Sequence, residues 1–333
     1  MATMGGGQAL TLTDWKERND PDGKIAKIIE LLNDMNPILA DMMFVEGNLP
    51  TGHKTTVRSG LPSVTWRLLN YGVVPSKSRT VQVTDSIGML EAYAEVDKSL
   101  ADLNGNTAEF RLSEDMAFIE KMNQEMATTV FYGNTTTDPE KFMGLAPRYD
   151  DITAENAENL IDGEGQVADI DCTSIWLVLW GANTVHGIYP KGSTAGLSVS
   201  DKGQQTLLDG NGGKYEGYRT HYKWDVGLTV RDWRYVVRIH SIVVDELLIS
   251  QASGAKLVDL LTQAVEIPPN MNMGRAAIYC NKTIRSMLRR QINNTTNVNL
   301  YLDNYAGKKV VMFDGIPVHT CDAITNDEVG LNP

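Results

Sequence analysis

The chain has 333 residues, 42% of them apolar and 22% charged, a globular balance that excludes a disordered or collagen-like protein. Its 42 acids outnumber its 30 bases and leave a net charge of −12. Wrapping nucleic acid, which depends on Lys and Arg, is therefore disfavoured.

The length suits about two ordinary domains or one elaborate one. The opening stretch has neither the basic nor the apolar region of a secretion signal. The longest apolar run, Ile175 to Ala182, is far short of the ~20 residues of a membrane span, so no membrane partner is expected. Cys172, Cys280 and Cys321 are odd in number and far apart. They read as small buried hydrophobes of a protein made in a reducing cytosol, not as disulfides.

Residues 1–46 read as an arm with one short helix. The arm is glycine-rich and polar up to a turn at Pro21-Asp22-Gly23. Ile25, Ile28, Ile29, Leu32 and Met35 then recur at helical spacing over 23–35, and Pro37 ends or kinks that helix. Residues 47–96 read as an extended loop, a long β-hairpin. Val64, Trp66 and Leu68 alternate on the way out, Ala92, Ala94 and Val96 on the way back, and turn chemistry over 72–79 marks the tip. A hairpin this long is marginal alone and needs a partner surface.

Residues 97–172 contain a long helix over about 108–132. Leu112, Met116, Ile119, Met122, Met126 and Val130 form one apolar stripe on it. At ~1.5 Å per residue it reaches nearly 40 Å. Asn106 with Glu109 resembles a capping box, and Gly133 stands where a C-cap glycine belongs. An irregular acidic segment follows over 138–172. Residues 173–249 are strand-rich. Residues 250–333 combine a helix at 257–265, a strand at 276–279, a basic helix at 282–291 and paired strands at 309–313 and 316–320. The fold class is α+β with a mixed or antiparallel sheet.

No chemistry emerges along the way. The five histidines are scattered without ligand spacing, and the glycine-rich run before Lys214 is followed by Tyr215 where a phosphate loop needs Ser or Thr. Glu114 and Asp115 are adjacent on a helix, so their side chains diverge. No catalytic residue, cofactor or metal is expected, and a hydrolase on a β-rich scaffold is the weaker alternative. Charge is more informative. From 47 to 84 there are five bases (Lys54, Arg58, Arg67, Lys77, Arg79) and no acid, and from 85 to 125 ten acids against three bases. A basic hairpin and an acidic helix carrying Glu109, Glu114, Glu120 and Glu125 suggest complementary surfaces. These meet between copies or, less favoured, within one chain. Arg285 and Arg289 sit in a second basic stretch, 275–310, with seven bases and one acid. They are expected to pair with acids of an adjacent copy.

The order of parts then resembles a known architecture. Ile175-Trp-Leu-Val-Leu-Trp-Gly181, Gly187-Ile-Tyr-Pro-Lys-Gly192, Tyr222-Lys-Trp-Asp-Val-Gly-Leu-Thr-Val-Arg-Asp-Trp-Arg-Tyr235 and the closing Phe313-Asp-Gly-Ile-Pro-Val-His-Thr-Cys-Asp-Ala-Ile324 resemble the major capsid proteins of short-tailed phages of the epsilon-fifteen type. The resemblance covers essentially the whole chain. It implies the Hong Kong 97 fold, with an N-terminal arm, a long two-stranded extended loop, a long spine helix and a mixed α/β axial domain. It implies a structural protein of the virion, assembled in the bacterial host cytoplasm as pentamers and hexamers of an icosahedral shell around double-stranded DNA. The implied partners are further copies, a separate scaffolding protein, a portal protein, a decoration or minor capsid protein, and DNA held weakly. An encapsulin-like nanocompartment shell is the alternative within the same fold.

Overall fold

A computed structural model of the chain describes residues 36–103, 105, 107–163, 165, 171–209, 211–249, 256–294, 300–305 and 308–331. The helix expected over 23–35 and Asn106 of the expected capping box lie outside these residues. In chain order the described elements are α1 (Ile38–Asp41), β1 (Phe44–Glu46), β2 (Gly52–Gly60), β3 (Arg79–Asp97), α2 (Lys98–Ala101), α3 (Thr107–Tyr132), β4 (Leu160–Asp162), β5 (Cys172–Trp180) and β6 (Val185–Tyr189). There follow β7 (Ser198–Leu208), β8 (Lys214–Val230), β9 (Val236–Val243), α4 (Val244–Ile249), α5 (Leu257–Glu266), β10 (Arg275–Cys280), α6 (Lys282–Asn294), β11 (Leu300–Tyr305), β12 (Lys308–Phe313) and β13 (Ile316–Thr320). Two units interleave along the chain. The larger takes residues 37–88, 129–195 and 226 onward, and the smaller takes 89–128 and 196–225.

In the larger unit the central sheet runs β11–β12–β13–β10–β5–β9–β4. It is mixed: β10 pairs β13 in parallel and β5 in antiparallel, with Ile278 opposite both Val318 and Leu177. All nine residues of β5 are buried because both faces of the sheet are covered, which is why Ile175 to Trp180 reads as a continuous apolar run. One face packs Ile175, Leu177, Val237 and Ile239 under Leu257 and Leu261 of α5 and Ile284 and Leu288 of α6. On the other face Trp176 is flanked by the rings of Phe131 and Tyr149, each 6.2 Å away. Asp314 (φ 47°) and Gly315 (φ 78°) both take the left-handed conformation, making the tight primed turn that joins β12 to β13.

Both chain ends of this unit are tied down by buried carboxylates. Asp41 accepts from the Tyr279 hydroxyl at 2.9 Å and lies 2.8 Å from both Arg275 Nη2 and His319 Nδ1. Burial pushes its carboxyl up, but the bonds from His319 and Tyr279 and the charge of Arg275 outweigh that and hold it below its usual value. Near the C-terminus, Glu328 accepts from Tyr132, Ser174 and Arg238. The three cysteines are free and buried.

The long helix α3 ends at Gly133, whose N–H returns to Thr129 O at 2.9 Å. The expected glycine cap is there for a different reason. Gly133 is not left-handed, and a Cβ on it would stand 2.6 Å from the Thr129 carbonyl and closer still to that of Phe142.

In the smaller unit the second half of β3 lies beside β8, which also pairs with β7 from Ser198↔Lys223 to Leu208↔Lys214. The alternation expected over 92–96 is real. Ala94 packs with Met122 and Tyr222, and Val96 with Phe110, against α3. The opposite face carries Glu91, Tyr93 and Glu95 against Arg219, His221 and Lys223, joined by the Arg219–Glu95 pair at 2.6 Å and the stacked Tyr93 and His221 rings.

Candidate inter-subunit surface

The extended loop starts from a well-held root. β2 pairs with β3 from Gly52↔Ser86 out to a bulge at Arg58/Gly60, opposite Arg79. Asp85, directly across from His53, meets Arg148 Nη2 at 2.8 Å, and the same guanidinium reaches the Met143, Gly144 and Leu228 carbonyls. His53 and His186 stand edge to face beneath this root, 5.8 Å apart. Burial lowers both titrations, and for His186 burial, His53 and Arg231 together bring it to about 4.

Beyond the bulge the expected hairpin is corrected. Residues 61–78 form no strand, so Val64 to Leu68 is not one, and the tip is not confined to 72–79. The return strand also leaves β2 after Ser86 and continues beside β8. The alternation of Val64, Trp66 and Leu68 misled because it reflects no buried face: eight large apolar side chains between Leu61 and Val74 are exposed, with Trp66 at 102%. A turn at Leu68–Tyr71, with Asn70 at φ 70°, and a 2.7 Å bond from Ser76 Oγ to Ser63 O tie the loop to itself.

The five bases are all exposed: Lys54 and Arg58 on β2, Arg67 and Lys77 on the loop, and Arg79 at the start of β3. Among the described residues none of them enters an ion pair. The acids fare differently. With about 100° of rotation per residue, Glu109 and Glu120 share one side of α3, while Glu114 and Glu125 lie about 140° further round. The four do not make a single face. Glu109 is exposed and the other three are half-buried. The expected apolar stripe is buried only in its second half, at Met122, Met126 and Val130. Leu112, Met116 and Ile119 stand 60%, 51% and 40% exposed.

Arg285 and Arg289 both lie on α6, but they differ in tethering. Arg285 is half-buried and donates from Nη1 to Thr320 Oγ1 at 2.8 Å within its own chain, whereas Arg289 is exposed. Arg285 is thus partly committed to internal packing, which the charge count did not reveal. Sequence reasoning also missed the apolar character of the loop tip. Its signal was a run of large apolar residues whose alternation had no second strand to pair with.

The chain matches the profile of the family "Major capsid protein GP7" over residues 20–332. It belongs to that family of major capsid proteins. The capsid protein of bacteriophage Epsilon15 is 36% identical and superposes with a TM-score of 0.80 over 100% of both chains. The capsid of the native GTA particle is 10% identical, with a TM-score of 0.46 over 66% of this chain and 94% of that one. An encapsulin from Synechococcus elongatus is 12% identical, with a TM-score of 0.41 over 70% and 96%. No curated protein matches the chain. This capsid protein is therefore a structural component of the phage virion with the Hong Kong 97-like mixed fold, and it self-associates into the shell. Family membership selects that reading over the nanocompartment and the hydrolase.

Proposed function

We propose that this capsid protein assembles in the bacterial cytoplasm as pentamers and hexamers that close an icosahedral shell around double-stranded DNA. The full-length likeness to the Epsilon15 capsid protein carries the reading. A separate scaffolding protein, a portal protein and a decoration or minor capsid protein complete the assembly. DNA is touched weakly and non-specifically, in keeping with the net charge of −12. Residues 1–46 act as an arm toward neighbours, 47–96 as the extended loop, 97–172 as spine helix and peripheral region, 173–249 as a strand-rich peripheral and axial region, and 250–333 as axial domain with the closing strand.

Lys54, Arg58, Arg67, Lys77 and Arg79 face acids of an adjacent copy, with Glu109 and Glu120 on one side of α3 and Glu114 and Glu125 on the other. Arg285 and Arg289 serve contacts within a ring. Each exposed pair contributes only ~0.2–1 kcal/mol, so the effect depends on its repetition around the shell. Electron microscopy of the purified protein with its scaffold tests the whole reading. Regular closed particles tens of nanometres across are expected, and a small discrete oligomer would overturn it. Changing Arg67, Lys77 and Arg79 together to Glu is expected to abolish shells while the free subunit melts as before. Normal assembly of that variant would remove the charge contact from the account.

A further inference from the structure

We propose that His53 and His186 form an acid-operated latch: while both rings are neutral they pin the root of the extended loop to the body of the larger unit, and proton uptake by the pair frees the root before that unit unfolds. The latch acts within a single chain and is independent of the shell reading above.

The pair joins two strands that no ladder joins. His53 lies on β2, which pairs only with β3 among the described strands, and His186 lies on β6, which is held by β1, β5 and β8. The rings stand edge to face at 5.8 Å. The polar atoms at this spot are unsatisfied: His53 Nδ1, both ring nitrogens of His186, Asp85 Oδ2 and Thr229 Oγ1 are buried and form no hydrogen bond. Asp85 stands directly across from His53 and Thr229 directly across from His186, so they share one place in the fold.

Neutral rings tolerate this setting and charged ones do not. Arg231, just past the end of β8, opposes protonation of both rings, and His53 opposes that of His186. Asp85 favours protonation of both, and the Gly181 backbone favours that of His186. The Asp85 carboxylate, however, is already bonded to Arg148 at 2.8 Å, and burial outweighs these supports. The root also has no slack for the water an imidazolium needs. β8 passes so close to β3 that a Cβ on Gly227 would stand 2.5 Å from the Ser86 carbonyl. Half-buried His53 takes the first proton, and a second cation on buried His186 then meets both His53 and Arg231. Parting β2 from β6 relieves that charge most easily, because an edge strand opens locally at lower free energy than a packed centre. His240, the other buried histidine brought to about 4, lies on β9 within that centre, so its protonation loads the whole unit and not the root.

The test uses the full chain as a free subunit, with spin labels on Ser59→Cys in the loop and Ala182→Cys in the body. Both positions are exposed and the native cysteines are buried. Pulsed electron resonance reads the distance between the labels from pH ~7 down to ~4, the window between an ordinary imidazole and His186. Near-ultraviolet circular dichroism follows the packing of the unit over the same range. As pH falls the distance distribution is expected to broaden while the dichroism holds, and to stay narrow when His53→Phe and His186→Leu are combined. No broadening, broadening that persists in that double variant, or broadening that comes only with loss of dichroism would each overturn the latch. Should the double variant fail to fold, His53→Phe alone is expected to move the onset of broadening to lower pH, and an unchanged onset would overturn the latch as well.

Discussion

The guanidinium of Arg238 and the carboxylate of Glu328 meet at 2.9 Å with their side chains only 5% and 7% exposed. Arg238 also donates to Ser174 Oγ and to the Tyr149 carbonyl, and its guanidinium lies over the Trp176 ring. The last turn of chain is thereby tied to the centre of the sheet. Breaking a buried pair from one side strands a charge, at a cost of ~3–5 kcal/mol. Glu328→Ala is expected to lower the melting midpoint of the free subunit sharply. The paired change Arg238→Met with Glu328→Leu is expected to restore most of it. Circular dichroism melts decide, and a midpoint unmoved by Glu328→Ala would mean the tail is dispensable.

Acid should loosen the loop root. Burial brings the titration of His186 to about 4, while an unfolded imidazole titrates near ~6.5. Between those values the unfolded chain binds a proton that the folded chain refuses. Stability is therefore full above pH ~6.5 and is lost as pH falls toward 4. His240, also brought to about 4 by burial and Arg238, acts in the same direction. His186→Leu is expected to flatten part of the decline in melting midpoint between pH 6.5 and 4, leaving the His240 part. An identical slope in wild type and variant would count against His186.

The end of α3 tolerates no side chain. A Cβ at Gly133 meets the Thr129 carbonyl at 2.6 Å, and one at Gly144 meets the same carbonyl at 2.7 Å. The two glycines are joined by the Gly144 N–H donating to Gly133 O at 2.7 Å. Neither Gly133→Ala nor Gly144→Ala can be absorbed by turning a side chain, since the obstacles are backbone. Each is expected to cost ~1–3 kcal/mol by urea unfolding, the range of an overpacked core site. A neutral result at both positions would mean the helix end shifts freely.

On α6 the two arginines should separate folding from assembly. Arg285 is bonded to Thr320 of the closing strand, and Arg289 is exposed. Arg285→Ala is expected to cost the subunit ~0.5–1.5 kcal/mol, the worth of one hydrogen bond. Arg289→Glu is expected to leave the melt unchanged and reduce capsomer yield by size-exclusion chromatography. Equal capsomer yield for Arg289→Glu and wild type would remove Arg289 from the ring contact.

Much of this fold was legible because its longest periodic segments are locally consistent. The helix expected over about 108–132 is Thr107–Tyr132, and the strand around Ile175 is nine buried residues. The Asp314-Gly315 turn was readable from residue type alone. The loop was not, because alternation signals a strand only where a ladder partner exists, and Val64, Trp66 and Leu68 have none. The site was half legible. Counting charges found the bases, but burial decides which acids and arginines remain available, and the helix period divides the four glutamates. Arg285 shows the same limit, since its bond to Thr320 joins segments that no local pattern links.

The interleaving of the two units sets an order on vectorial synthesis. Once residue 225 has left the ribosome, every segment of the smaller unit has been delivered, and Ala94 can find Tyr222. The larger unit at that moment holds β5 without β9 or β10, so a strand whose nine residues are all buried in the finished fold has neither of these antiparallel neighbours. Such late, non-local pairing is slow and leaves sticky surface waiting. The nascent chain therefore passes through a stage in which its smaller unit is complete and its main sheet is open, and it is there that a chaperone would find it.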